Sequence, residues 1–144
     1  MKRIVLSVVL AVSFVSTAAF ACDGEEGHSQ SAAAEPAKAN IGQVIEWTKA
    51  KSATPVDANR NETRQKFGVI PGAVLLTSSS EFKLSELPAD KASKLVFYCA
   101  NAHCSASTAA AKRAMENGYT NVTVLPEGIM GWKKAGQPST KPQS

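Results

Sequence analysis

Ile41, Val44, Ile45 and Thr48 recur on one face of residues 41–49, IGQVIEWTK, at the spacing of an amphipathic helix. Trp47 in the same stretch is expected to serve in side-chain packing. In ATPVDAN, Pro55 and Val56 lead into Asp57 as a short buried strand that closes on polar residues. NRNETRQKFG is charged and predicts a helical turn. VIPGAVLL is extended and apolar, broken by the turn signal Pro71-Gly72. SSSEFKLSELPAD reads as a loop with a helical turn from Leu84 to Leu87. LVFY, four apolar and aromatic residues after a polar stretch, predicts a buried strand. Residues 105–119, SASTAAAKRAMENGY, are Ala-rich, with Ser105 at the start and Gly118 just past the end, the pattern of a capped helix. NVTVL predicts another strand. EGIMGWKKAG then predicts a last helical turn, with Trp132 in the core and Gly128 and Gly136 at turns.

Strands alternating with helices imply parallel strands joined by right-handed crossovers. In such sheets chemistry sits beyond the carboxyl ends of the strands. LVFY ends at Cys99, so the loop Cys99, Ala100, Asn101, Ala102, His103, Cys104, with Ser105 leading the next helix, occupies that position. It holds two of the three cysteines and one of the two histidines. Backbone N–H groups of a tight loop wound at a helix N-terminus attract negative charge, which predicts a stabilised Cys99 thiolate with a lowered pKa. Such a thiolate attacks the outer sulfur of a donor, holds it as a persulfide and releases it to a second thiol or to cyanide. His103 is expected either to assist proton transfer or to be an ordinary exposed loop residue. Cys99, His103 and Cys104 lack the separated ligand pairs of a structural zinc site, so neither a metal nor any other cofactor is expected.

The 144 residues suit one modest domain. Residues 1–21 read as a signal peptide: Lys2 and Arg3 precede an apolar stretch, and Ala19-Phe20-Ala21 offers a small-x-small cleavage site. The chain is therefore expected to be exported to the periplasm or cell envelope. Cleavage would place Cys22 at the new N-terminus, where its thiol either stays free or carries lipid as in bacterial lipoproteins. That anchor is the one membrane contact expected. Residues 22–40 are small and polar, as in a flexible linker, residues 41–138 form the domain, and residues 139–144 a disordered tail. Losing Lys2 and Arg3 leaves 14 basic against 12 acidic residues, so the formal charge drops from +4 to +2. The remaining cations are scattered, which argues against nucleic acid as a partner.

VIPGAVLL, a strand ending YC, a tight loop, the Ala-rich helix, GYTNVTVL and PEGIMGWKKAGQP occur in an order that resembles single-domain rhodaneses, the thiosulfate-type sulfurtransferases. The resemblance implies a doubly wound α/β domain with a five-stranded parallel sheet. It also implies a catalytic cysteine, here Cys99, opening a six-residue loop after the fourth strand. Several positions depart from the family. Cys104 stands sixth in the loop, where the family commonly has arginine, lysine or threonine, and Ala100 stands second, often an arginine. Asp57-Ala58-Asn59 matches the family's Asp-x-Arg with asparagine for arginine, and Val69 replaces a histidine. Asp57 is expected to cap or salt-bridge locally. Without the loop cations a doubly charged donor such as thiosulfate should bind less well.

Three functions fit these residues. The first is a monomeric sulfurtransferase with a small sulfur donor and a thiol acceptor. The second is a redox protein cycling Cys99 and Cys104, with Cys104 as resolving thiol. The third is a binding module without catalysis. Export makes one prediction testable at once. The intact mass of protein extracted from the envelope should correspond to a chain starting at Cys22. A retained leader would refute export, and an unmodified Cys22 would remove the lipid anchor.

Overall fold

Asn40 sets where the first helix begins. Its side-chain oxygen accepts from the Gln43 N–H at 3.0 Å while Gln43 Oε1 accepts from the Asn40 N–H at 3.0 Å, a reciprocal cap that opens α1 (Ile41–Lys49). The computed structural model describes residues 35–142. The expected leader, Cys22 and residues 22–34 of the expected linker lie outside the described residues. The other helices are α2 (Asn61–Phe67), α3 (Ala106–Glu116) and α4 (Gly128–Lys134), with a 3-10 turn at Leu84–Glu86.

The strands are β1 (Ala37–Lys38), β2 (Thr54–Asp57), β3 (Val74–Leu75), β4 (Leu95–Tyr98) and β5 (Val122–Leu125). All pair in parallel, in the order β1-β5-β4-β2-β3. The parallel pairing is that expected from the alternation of elements, and the five-stranded doubly wound sheet is the one implied by the resemblance. All four β4 side chains are buried, because helices cover both faces of the sheet. Leu95 and Phe97 face Ala110, Ala111 and Ala114 of α3, while Val96 and Tyr98 meet Val44 of α1 and Ile129 and Trp132 of α4. Each such apolar side chain contributes about 1.5–3 kcal/mol by burial, so β4 is the spine of both cores.

Three boundaries differ from the sequence reading. β1 lies inside the expected linker, since Ala37 and Lys38 pair with Thr123 and Val124 at the open edge of β5. Thr140, expected in the tail, bridges Val69, with N···O distances of 2.8 and 3.0 Å. Ser105 holds the N-cap position of α3 but its side chain makes no capping bond. Its backbone is helical (φ −89°, ψ −5°) where a capping residue is normally extended, so the hydroxyl is misdirected.

The carboxyl end of β2 is held by a buried ion pair. Arg64 Nε donates to Asp57 Oδ1 at 3.1 Å, and its Nη2 donates to the Asp57 and Leu76 carbonyls at 3.0 and 2.8 Å. Asp57 thus has the local salt-bridging role expected of it, and Arg64 ties β2 to the residue that follows β3. Truncating Arg64 would strand a fully buried carboxylate. Arg64→Ala should therefore cost about 3–5 kcal/mol in urea unfolding, with Arg64→Lys recovering part of it because lysine lacks the planar fork. Unchanged midpoints would refute this role.

Glu86 clips the 3-10 turn to the segment after β3, accepting from Thr77 N, Thr77 Oγ1 and Lys83 N at 2.8 to 2.9 Å. Slight burial works against its charge, but these hydrogen bonds outweigh it and hold the carboxyl below its ordinary value of 4.5. A carboxyl depressed by folding contributes stability above its unfolded pKa and loses it as pH falls through the folded value. Wild type should accordingly be more stable than Glu86→Gln at pH 7. The gap should close on acidification below about 4.5; a gap independent of pH in urea melts would contradict the assignment.

Candidate active site

The strand order creates a crevice. From β2 the chain crosses outward to β3, whereas from β4 it crosses in the opposite direction to β5, although β2 and β4 are neighbours. Connections that diverge from adjacent parallel strands leave an opening at their carboxyl ends. A pocket of about 500 Å³ lies there, with Ala58, Asn59, Arg60 and Thr63 on the β2 side and Ala100, His103 and Cys104 on the β4 side. A second recess, about 470 Å³, is lined by Val69, Pro71, Gly72 and Lys141 among others and contains neither thiol.

The loop from Cys99 to Cys104 is shaped by two sets of bonds. At its start, Ile129 N donates to the Cys99 carbonyl at 2.9 Å and Met130 N to the Ala100 carbonyl at 3.0 Å. This docks the loop on the first turn of α4, whose N–H groups have no partners within the helix. The docking depends on Gly128 (φ +59°), where a Cβ would collide with Cys99 O and the Ala100 carbonyl group. Within the loop, Asn101 is the turn former: its carbonyl accepts from Cys104 N at 3.1 Å and its Oδ1 from His103 N at 3.0 Å. Its Nδ2 reaches Met130 Sδ at 3.4 Å.

The two thiols differ sharply in environment. Cys99 is 1% exposed, and its Sγ–H donates to the Cys104 carbonyl at 3.1 Å and lies 3.3 Å from Ser107 Oγ. Burial is the main force raising its pKa, the Cys104 thiol adds to that, and contacts from Ser107 offset part of it. Cys104 is half-buried. Burial also works against its thiolate, but hydrogen bonds from the Cys99 thiol and from the Ala106 and Ala100 N–H groups outweigh it and lower the pKa. The expectation of a thiolate on Cys99 is corrected here. The Cys104 carbonyl, which accepts a proton donor and repels an anion, faces Cys99 beside the Ser107 hydroxyl and N–H, while the Ala100 and Ala106 N–H groups face Cys104.

Cys99, Ala100, Asn101, Ala102, His103, Cys104 and Ser105 form one turn from β4 into α3. Cys99 is beneath the others, Cys104 lines the pocket, and Ala102, His103 and Ser105 are exposed. Sequence reasoning missed Ser107, Arg60, Thr63, Gly128 in its role under the loop, and Met130. Ser107 is a buried hydroxyl in the first turn of the alanine-rich helix α3, but Thr108 stands beside it, so residue type alone did not single it out. Among the described residues, no three His, Cys, Asp or Glu side chains are grouped so as to hold a metal ion.

Gly128→Ala tests the docking of the loop. It should destabilise the domain by about 2 kcal/mol and accelerate hydrogen exchange at the Ile129 and Met130 amides. Unchanged exchange there would show that α4 does not hold the loop.

Solved structures share this architecture. A thiosulfate sulfurtransferase from Pseudomonas aeruginosa superposes with a TM-score of 0.64 at 24% identity, over 76% of this chain and 21% of that one. A rhodanese-related protein from Thermoplasma volcanium gives 0.61 at 24% identity, over 74% of this chain and 99% of its own. A Rhodopseudomonas palustris protein of unknown function gives 0.60 at 24% identity, over 73% and 85%. At these identities the likeness shows the fold. No curated protein matches the chain closely enough to count as a relative. The sequence itself matches the rhodanese-like domain over residues 40–135, from the cap of α1 to the end of α4, and the chain therefore belongs to the rhodanese-like domain family.

Proposed function

We propose that this rhodanese-like domain is a sulfurtransferase that carries sulfur as a persulfide on Cys99 and hands it to a thiol or cyanide acceptor. One observation carries the reading. Cys99 directly follows β4 at the topological switch point, inside a six-residue turn whose other cysteine opens onto the crevice between β2 and β4. A persulfide on Cys99 gains a second sulfur atom, which extends from the buried Sγ toward the N–H groups of Ala100 and Ala106. Those groups favour an anionic outer sulfur where the carbonyls around Cys99 disfavour an anionic inner one. Neither side chain at loop positions two and six is cationic, since Ala100 and Cys104 stand there. A donor with one diffuse negative charge therefore suits the turn better than thiosulfate.

A second reading, thiol–disulfide exchange with a disulfide of a partner, is favoured by the contact between the two loop thiols. The two readings differ in what the loop holds after reaction: an extra sulfur atom, or an intramolecular disulfide.

The test is single-turnover transfer from a persulfide donor to cyanide. Cys99→Ser should lower the rate by about 10³-fold or to background, because no other group holds the sulfur stably. His103→Ala should lower it by less than about threefold, because its side chain is exposed and its one hydrogen bond in the loop comes from its backbone. Full activity in Cys99→Ser would refute the function as stated.

A further inference from the structure

Building on that reading, we propose that Cys104 is the receiving thiol of the loop: it takes the outer sulfur from a small anionic persulfide in the adjoining pocket and passes it to Cys99 beneath. The proposal rests on placement. Cys104 lines the pocket and Cys99 does not. At 1% exposure Cys99 presents almost no surface to the crevice, and its Sγ is directed to the backbone of the loop itself. A donor approaching from the crevice meets Cys104 first. The N–H groups of Ala100 and Ala106 that reach Cys104 Sγ also favour its reactive ionised form.

The opposite wall supplies the donor class. Asn59 is 8% exposed, lines the pocket, and has a buried Nδ2 without a hydrogen-bond acceptor. A buried N–H donor without a partner costs free energy that a bound acceptor restores. Arg60 is beside it on the same wall and has no ion-pair partner among the described residues. Together they fit a small molecule that bears a carboxylate some ångströms from its reacting sulfur. About 500 Å³ suits a low-molecular-weight thiol persulfide.

Both steps balance without an external oxidant. In the first, the Cys104 thiolate attacks the outer sulfur of the donor RS–SH. A bond forms between Cys104 Sγ and that sulfur, the donor's S–S bond breaks, and RS⁻ leaves with the electron pair. In the second, Cys99 Sγ attacks the same outer sulfur. The bond to Cys104 Sγ breaks, and the proton lost from the Cys99 thiol ends on Cys104. Cys99 now carries the persulfide, Cys104 is a thiol again, and the oxidation level of the pair is unchanged. Cys99 Sγ lies 3.1 Å from the Cys104 carbonyl, so the second step is a transfer between adjoining residues of one turn.

The experiment is a quenched time course of the reduced full chain with glutathione persulfide, locating added sulfur by peptide fragmentation. The sulfur should appear on Cys104 first and on Cys99 later. Cys104→Ser should load Cys99 about tenfold more slowly, while Cys99→Ser should load Cys104 at close to the wild-type initial rate but only transiently, the sulfur returning to the donor thiolate because its stable holder is missing. Independently of any donor, limiting iodoacetamide should label Cys104 before Cys99 in the wild type. Loading of Cys104→Ser at the wild-type rate, or labelling of Cys99 first, would overturn the relay and leave the sulfurtransferase reading intact. Absence of sulfur from both cysteines in every form would overturn both.

Discussion

Two backbone hydrogen bonds, from Ile129 and Met130 of α4 to the carbonyls of Cys99 and Ala100, decide the shape of the loop. They turn the peptide groups after β4 so that their oxygens face α4. The N–H groups of the turn are left toward the crevice, where Ala100 N and Ala106 N meet Cys104. Gly128 makes this possible, because a side chain at that position and at φ +59° would occupy the space of the Cys99 and Ala100 carbonyl groups. The last helix of the domain is thus a support for the loop as well as a cover for the sheet. Its core residues, Ile129 and Trp132, fix it against β4 from the same side.

The opposite wall of the crevice has its own anchor. Asp57 is completely buried at the end of β2 and is neutralised by Arg64, which reaches from α2 and also binds Leu76. Asp57 Oδ1 further accepts from Asn59 N at 2.7 Å, which sets the direction in which the chain leaves the strand. Tyr98 lies close to the same carboxylate, and burial first and then that negative charge push its phenol to a higher pKa. Its oxygen accepts from Ile70 N at 3.0 Å and so ties β4 to the segment before β3. Both walls are therefore tied through buried polar groups that are costly to disturb.

The environments of the two thiols follow from this backbone arrangement more than from nearby charge. No cation adjoins Cys99 in the loop, and its pKa is raised by burial and by the Cys104 thiol, with Ser107 offsetting part of the shift. At the sixth loop position, where the family commonly has arginine, lysine or threonine, this chain has Cys104, so no cation stands there.

Much of the fold was legible in the chain. LVFY, NVTVL, the helix spacing of IGQVIEWTK and the alanine-rich stretch after Cys104 each satisfy one period over enough residues to specify their element. Their alternation specified a parallel sheet, and the end of β4 located the loop. β1 was not legible. Ala37 and Lys38 carry no apolar pattern, and their extended form exists because β5 offers an open edge 85 or more residues later in the chain. Nor did Ser105, a good capping residue by type, reveal that the turn would leave it helical. The roles of the two cysteines were decided furthest from the sequence. Composition and order identified both thiols, but which one is buried against the Cys104 carbonyl and which one meets the Ala100 and Ala106 N–H groups depends on how the whole turn is wound between β4, α3 and α4, the last folded from residues 30 positions away. Local periodicity determines elements because it acts within a few residues. The direction of a carbonyl at a strand end depends on a partner brought there only by the complete fold.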